Sequence, residues 1–166
     1  MTASSEDFRA GMARVAAAVN IITTDGPAGK TGFTATAMCS ITDTPPTLLV
    51  CFNRSSERNV YFKENRILCV NTLSANQETL AGVFAGATKC TPLERFEHGH
   101  WSTLATGAPV LTEALASFDC RITEIQEIGT HSLFFCEVEA VRLGGEGQGL
   151  GYLSRAFHRI GAALAE

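Results

Sequence analysis

Two neighbouring stretches carry most of the side chains able to do chemistry. Thr34-Ala35-Thr36-Ala37-Met38-Cys39-Ser40 sets the hydroxyls of Thr34, Thr36 and Ser40 among small side chains. Pro45-Pro46 follows, then the apolar run Leu48 to Phe52, which passes through Cys51 and exits into Asn53-Arg54-Ser55-Ser56. Ala35 and Ala37 let a flat ring approach the main chain closely, Asn53 both donates and accepts, and Arg54 adds positive charge. Ser55 or Ser56 is placed to cap a helix running through Phe62, whose first amides would then face an anion. Together these residues form a cradle for a phosphate-bearing aromatic cofactor such as a flavin, which needs a slot for its ring, donors for its pyrimidine edge and a phosphate site. The same hydroxyls also suit ordinary strand and cap positions, and both readings stand at this point.

Three further groups are weaker signals. His131 sits in Gly129-Thr130-His131, where a glycine break meets an apolar strand, so its imidazole either bonds a nicotinamide or diphosphate or serves the structure. His98 and His100, with Glu97 and Trp101 beside them, are too few ligands in a glycine-containing loop, and no metal is expected. Tyr152, Arg155, Phe157 and His158 bring aromatic and basic groups together, suited to clamping a dinucleotide or to packing at a subunit interface. The sequence holds no G-x-G-x-x-G, P-loop, G-x-S-x-G, H-E-x-x-H or C-x-x-C pattern, which removes the usual support for Rossmann, P-loop, hydrolase and zinc chemistry.

The elements that must position these groups read mostly as strands. Ser4-x-x-Asp7 opens a short amphipathic helix with Phe8, Met12 and Val15 on one face. Val19 to Thr24 and Gly32 to Met38 form a hairpin around the turn Asp25 to Gly29, and Thr47 to Phe52 and Ile67 to Leu73 are two more strands. Ser74-x-x-Gln77 is a second capping box, leading a helix with Leu80, Val83 and Phe84 as its apolar stripe and Gly86 as its stop; Thr91 to Glu94 caps a further turn. Phe118, Cys120 and Ile122 alternate with Asp119, Arg121 and Thr123, and Leu133 to Val141 continues as a second long strand. A glycine-rich turn then leads to a last strand near Leu150 to Leu153, and Ala162 to Leu164 reads as a short helix. Six or seven strands with few helices between them predict a small antiparallel barrel rather than a doubly wound parallel sheet.

At 166 residues, 45% hydrophobic and 18% charged, the chain is expected to form one domain over 1–166. A net charge of −4 with scattered basic residues gives no footprint for nucleic acid, and no window is apolar enough to cross a membrane. The N-terminus lacks a basic and an apolar region, so a cytoplasmic location is expected. The six cysteines, widely spaced in apolar runs, are expected to be buried free thiols.

The order of the motifs is more specific than any one of them. Phe8-Arg9, Val19 to Thr24, Gly32 to Ala37, Ser40, Pro45-Pro46, Asn53 to Ser56, Asn71, Phe84-Ala85-Gly86, Gly129-Thr130-His131 and Phe157-His158 together resemble the flavin reductase family, over nearly the whole chain. In appearance the sequence is like the small reductase components of two-component aromatic hydroxylases and the related reductase of pyrimidine degradation. The resemblance implies an FMN-binding split antiparallel β-barrel of Greek-key type, mostly β with a few helices. It implies a homodimer that uses NADH, with NADPH undistinguished, to reduce FMN or FAD and hands the reduced flavin to a separate monooxygenase. By position it implies that Thr34, Ala35, Thr36, Ala37 and Ser40 line the ring and ribityl chain. Asn53, Ser55, Ser56 and Asn59 then hold the pyrimidine edge or phosphate, with Cys51 and Arg54 among the cofactor-binding residues and Phe84, Ala85 and Gly86 beside the ring. His131 orients the dinucleotide, and Arg155, Phe157 and His158 lie on the nicotinamide side. The chain departs from the family at three places: Thr36-Ala37 replaces an Asn-Ser pair common in members, Thr130 replaces an acid, and Ala156 replaces a basic residue. A non-catalytic flavin-binding protein and an oxidase of the pyridoxamine-phosphate type are the alternatives on the same barrel.

Overall fold

A computed structural model describes residues 1–161; the expected helix at Ala162 to Leu164 lies outside them. Helix α1 (Ser5–Met12) precedes strands β1 (Ala17–Ala18), β2 (Asn20–Thr24), β3 (Thr31–Ala35), β4 (Met38–Asp43) and β5 (Pro46–Asn53). Helix α2 (Asn59–Asn65) and β6 (Ile67–Thr72) follow, and a 3-10 turn (Ala75–Gln77) runs into α3 (Glu78–Ala85). A second 3-10 turn (Glu94–Glu97) and the short β7 (Trp101–Ser102) and β8 (Val110–Leu111) lead to β9 (Ala116–Ile128), β10 (His131–Leu143), β11 (Gly149–Leu153) and β12 (Ala156–Ile160).

The main sheet has seven antiparallel strands in the order β3-β2-β6-β9-β10-β5-β4. Its edge strands β3 and β4 are joined by Thr36 and Ala37 alone. Laid flat, the edges of such a sheet would stand about 29 Å apart, whereas the three Cα steps from Ala35 to Met38 reach about 11 Å. The sheet therefore curls into a barrel, and the two linking residues sit at its seam. Inside lies an apolar cluster that includes Ile22, Val50, Leu68, Val70, Ile122 and Phe134. Phe33 and Phe52 stack within it at 3.7 Å, with Phe62 edge-on to both. Helix α3 covers one side, burying Ala81, Val83 and Phe84 against Val19, Ile21, Leu73 and Leu111.

The short-range signals hold where a side chain closes its own turn. Ser4 Oγ accepts the Asp7 amide at 3.0 Å, Gln77 Oε1 accepts the Ser74 amide at 2.8 Å, and α3 stops at Gly86 with φ of +88°. Five expectations need correction. The strand drawn from Gly32 to Met38 breaks at Thr36-Ala37, because the chain there crosses from one sheet edge to the other. Neither Ser55 nor Ser56 caps a helix: Asn53 Oδ1 takes the Ser55 amide at 2.9 Å, forming a turn that delays α2 to Asn59. Asp119 does not face solvent; it is fully buried beneath the loop before β8, where Thr106 donates its amide at 2.7 Å and its hydroxyl. Of the cysteines, all free, only Cys69, Cys120 and Cys136 are buried. The described residues also hold more strands than expected, including β12, which pairs with β11 through a two-residue turn.

Candidate functional site

The barrel seam opens into a cleft of about 380 Å³. Its floor is the stacked Phe33 and Phe52 pair, one wall is Thr34 to Ala37, another is Cys51, Asn53 and Ser56, and Phe84 and Ala85 close the side. Two strand exits and one helix end meet there because the tight β4–β5 hairpin, turned by Pro45-Pro46, brings Asn53 back beside the seam. A second hollow of about 250 Å³ shares Thr34, Ala35, Thr36 and Ala85 with the cleft and is lined beyond them by Val19, Tyr152 and Phe157. The Tyr152 and Phe157 rings meet at 5.3 Å. The cleft thus joins apolar groups, Phe33, Phe52 and Phe84, to polar ones, Thr34, Thr36, Asn53, Ser56 and Arg58.

The remaining residues singled out in the sequence do not line this cleft. Asn59 is buried behind the rim, its Nδ2 donating to the Asn53 carbonyl at 3.4 Å and to Ser132 Oγ at 3.1 Å. His131 is the ladder partner of Asn53, and its Nδ1 lies 2.9 Å from Thr130 Oγ1. Ser55 donates its hydroxyl to Asn53 Oδ1 at 2.9 Å. Gly86 ends α3, where a Cβ would meet Arg95 Nη2 at 3.7 Å. Ser40 lines a different hollow, of about 450 Å³, with Met38, Leu48, Phe118 and Val138. Arg155 occupies the β11–β12 turn with φ of +61°, and His158 Nε2 lies 3.0 Å from the Leu153 carbonyl. Arg54 is paired with Glu127 at 2.8 Å, which leaves its charge already met.

Two further arginines, which no local pattern marks, have no such partner. Arg58 lines the cleft, half-buried, with Nη1 donating to the Gly32 carbonyl at 3.0 Å. Arg95 is 9% exposed; its Nη1 donates to the Phe84 carbonyl at 3.4 Å and its Nε has no partner. Neither forms an ion pair among the described residues. Burial, and then the charge of Arg95, lower the Arg58 pKa. Two neighbouring guanidiniums withdrawn from water without a counter-charge are costly, and an anion between them offsets that cost. The residues therefore fit a ligand with a planar ring and a phosphate.

Among the described residues there is no cluster that could hold a metal ion, and no helix is long and apolar enough to cross a membrane.

Barrel, seam cleft and arginine pair define a flavin-binding protein of the split-barrel type. The flavin reductase like domain matches residues 12–161, and the chain belongs to that family. It is 54% identical over 156 residues to the FMN reductase (NADH) RutF of Serratia proteamaculans strain 568, covering 93% of this chain and 87% of that one. It is 56% identical over 142 residues to the protein of the same name from Acinetobacter baylyi, covering 86% and 74%. Among solved structures, the ycdh protein of Haemophilus somnus 129PT superposes with a TM-score of 0.90 at 43% identity, over 95% of this chain and all of that one. The flavin reductase PheA2 superposes at 0.86 with 28% identity, over 96% and 100%. BorF, the flavin reductase component of a bacterial two-component tryptophan halogenase, also superposes at 0.86, with 26% identity, over 96% and 100%.

Proposed function

We propose that this protein is an NADH-dependent FMN reductase that delivers reduced flavin to a separate oxygenase component. The observation that carries the reading is the seam cleft, where Phe33 and Phe52 give an aromatic end and the unpaired Arg58, with the buried Arg95 bonded to the Phe84 carbonyl beside it, gives a cationic end, as FMN requires. A flavin held there would supply the hydride acceptor, and NADH the hydride. The protein's work is to hold two flat rings in contact, for which orientation is the main source of rate.

In this reading the small side chains of Ala35 and Ala37 let the ring lie against the seam backbone. Asn53 and Ser56 bond its polar edge, and Arg58 and Arg95 hold the phosphate. Negative charge that develops on the ring's pyrimidine edge is met by the donors of the Asn53 to Ser56 rim. The Tyr152 and Phe157 hollow, continuous with the cleft, takes the nicotinamide side, with His131 orienting the dinucleotide from the rim. No side chain is asked to move a proton during hydride transfer.

A second copy of the chain completes this arrangement. Helix α1 buries none of its residues, and Phe8, Met12 and Val15 are exposed, as are Ile41, Val141 and Leu143. Apolar surface of this kind is covered in a stable protein, and a homodimer covers it. Light scattering on the purified protein tests this; a monomer at micromolar concentration contradicts it.

The catalytic reading is tested by NADH consumption with FMN, FAD and riboflavin supplied in turn, repeated with NADPH. FMN with NADH is expected to give the highest kcat/KM. Tight flavin binding with no NADH oxidation would identify a flavin-binding protein instead.

A further inference from the structure

Glu127, next to the last residue of β9, stands outside the cleft yet grips both flanks of its rim. Its carboxylate accepts from Lys63 Nζ at 2.5 Å, from Arg54 Nε at 2.8 Å and from Ser132 Oγ at 3.0 Å. Arg54 is further fixed to the β9–β10 turn, its amide donating to the Thr130 carbonyl at 2.9 Å and its Nη1 to the Gly129 carbonyl at 3.2 Å. That side of the cluster ties Asn53-Arg54 to the turn that carries His131.

The other side runs inward through buried groups. An ionised carboxylate only accepts hydrogen bonds, so Ser132 must donate to Glu127 and present its lone pairs elsewhere. Asn59 Nδ2 donates to that oxygen at 3.1 Å and to the Asn53 carbonyl at 3.4 Å. Ser132 is fully buried and Asn59 is 4% exposed, so neither exchanges these partners for water freely. The charge on Glu127 thereby sets the direction of every hydrogen bond back to the Asn53 main chain. The Asn59 amide also donates to the Ser56 carbonyl at 2.9 Å, which closes the turn from below.

We propose that Glu127 is a positioning residue for the flavin end of the cleft, ordering the rim from Asn53 to Ser56 and the turn bearing His131 without touching the ligand. The inference rests on the flavin reductase reading of that cleft. The Lys63 hydrogen bond is the chief cause that holds the Glu127 carboxyl below its ordinary range, opposed by desolvation and aided by Ser132 and Arg54. It is therefore ionised at neutral pH.

The test compares Glu127→Gln and Ser132→Ala with Glu139→Gln, which removes a carboxylate from an equivalent exposed pair with Arg121 at 2.6 Å, away from the cleft. Flavin affinity is read by fluorescence quenching with FMN and with riboflavin, beside kcat and KM for NADH oxidation and the melting temperature. Glu127→Gln is expected to weaken FMN and riboflavin alike, by about tenfold, and Ser132→Ala by about threefold through the inward side alone; the double variant matches Glu127→Gln because the two share one path. Glu139→Gln changes neither affinity.

Three results overturn the proposal: a lower melting temperature with unchanged flavin affinities, additive losses in the double variant, or tighter FMN with riboflavin unaffected. The last would make Glu127 only a counter-charge whose removal frees Arg54 and Lys63 to attract phosphate. Should Glu127→Gln fail to fold, Ser132→Ala, which leaves both ion pairs in place, decides the matter: unchanged flavin affinity overturns the proposal. If the unmodified protein oxidises no NADH with any flavin, the reductase reading fails, while the quenching titrations still decide the role of Glu127.

Discussion

Two buried polar regions of this barrel are built on opposite terms. Behind β6, Asn71 is fully buried and every arm of its side chain is met. Its Nδ2 donates to the Ile21 carbonyl at 3.1 Å, and its Oδ1 accepts from the Leu111 amide at 2.8 Å and Ser117 Oγ at 2.9 Å. Thr23 reaches the Pro109 carbonyl, and Asp119 is satisfied by Thr106. At the cleft, Arg58 and Arg95 lie close together with no carboxylate opposite and with one Arg95 nitrogen unpaired. A polar group buried for the fold finds its partner within the chain, whereas a polar group withdrawn for a ligand leaves the partner's place open. The first region fastens the loop before β8 to the sheet; the second is the reason to place a phosphate at the cleft.

Removing a residue from each region separates the two roles. The largest effect is expected for Asn71→Ala, which strands the Leu111 amide and the Ser117 hydroxyl; it should cost about 3 kcal/mol of stability by denaturant unfolding, with flavin preference intact. A loss of flavin selectivity at unchanged stability would erase the distinction. Arg58→Ala comes next. Losing a charge-assisted hydrogen bond to phosphate should raise the KM for FMN by about thirtyfold, equivalent to about 2 kcal/mol, with riboflavin turnover little changed.

Arg95→Met sharpens the contrast, because it replaces an uncompensated buried charge by an apolar side chain. The flavin-free protein should become more stable by about 1 kcal/mol even as FMN affinity falls. Destabilisation would mean that the Phe84 carbonyl bond matters more than the charge. The smallest effect is acidic. The Glu127 carboxyl is held below its ordinary range in the folded protein, so its contribution is present above the unfolded carboxylate pKa and is lost as pH falls through the folded value. The stability gap between the unmodified protein and Glu127→Gln should close only in that acid range, and a constant gap down to it and below would contradict the assignment.

What was legible in the sequence was local. Thr34 to Ala37 and Asn53 to Ser56 stand out because hydroxyls, alanines and an amide crowd two strand exits, and a single hairpin through Pro45-Pro46 brings them together. The capping boxes at Ser4 and Ser74 were readable for the same reason: each closes within a few residues. Arg58 and Arg95 were not, since neither belongs to a periodic pattern and their meeting depends on α2, α3 and the 3-10 turn converging. The helix expected after Ser55 starts only at Asn59, because Asn53 Oδ1 takes the Ser55 amide and folds Ser55 and Ser56 into a turn ahead of it. Asp119 looked like the solvent half of an alternating strand, and only the loop folded over it reverses that. Strand β12 went unseen because Ala156 to Ile160 lacks the alternation that marks a half-buried strand; only Phe157 among them is partly buried.

The central claim, that the seam cleft holds FMN by its phosphate for reduction by NADH, is tested most directly by one ratio. Steady-state kcat/KM for NADH oxidation is measured with FMN and with riboflavin, in the unmodified protein and in Arg58→Ala. The account predicts a clear preference for FMN that collapses toward unity in the variant through loss on FMN alone. An FMN-to-riboflavin ratio identical in the two proteins would contradict it.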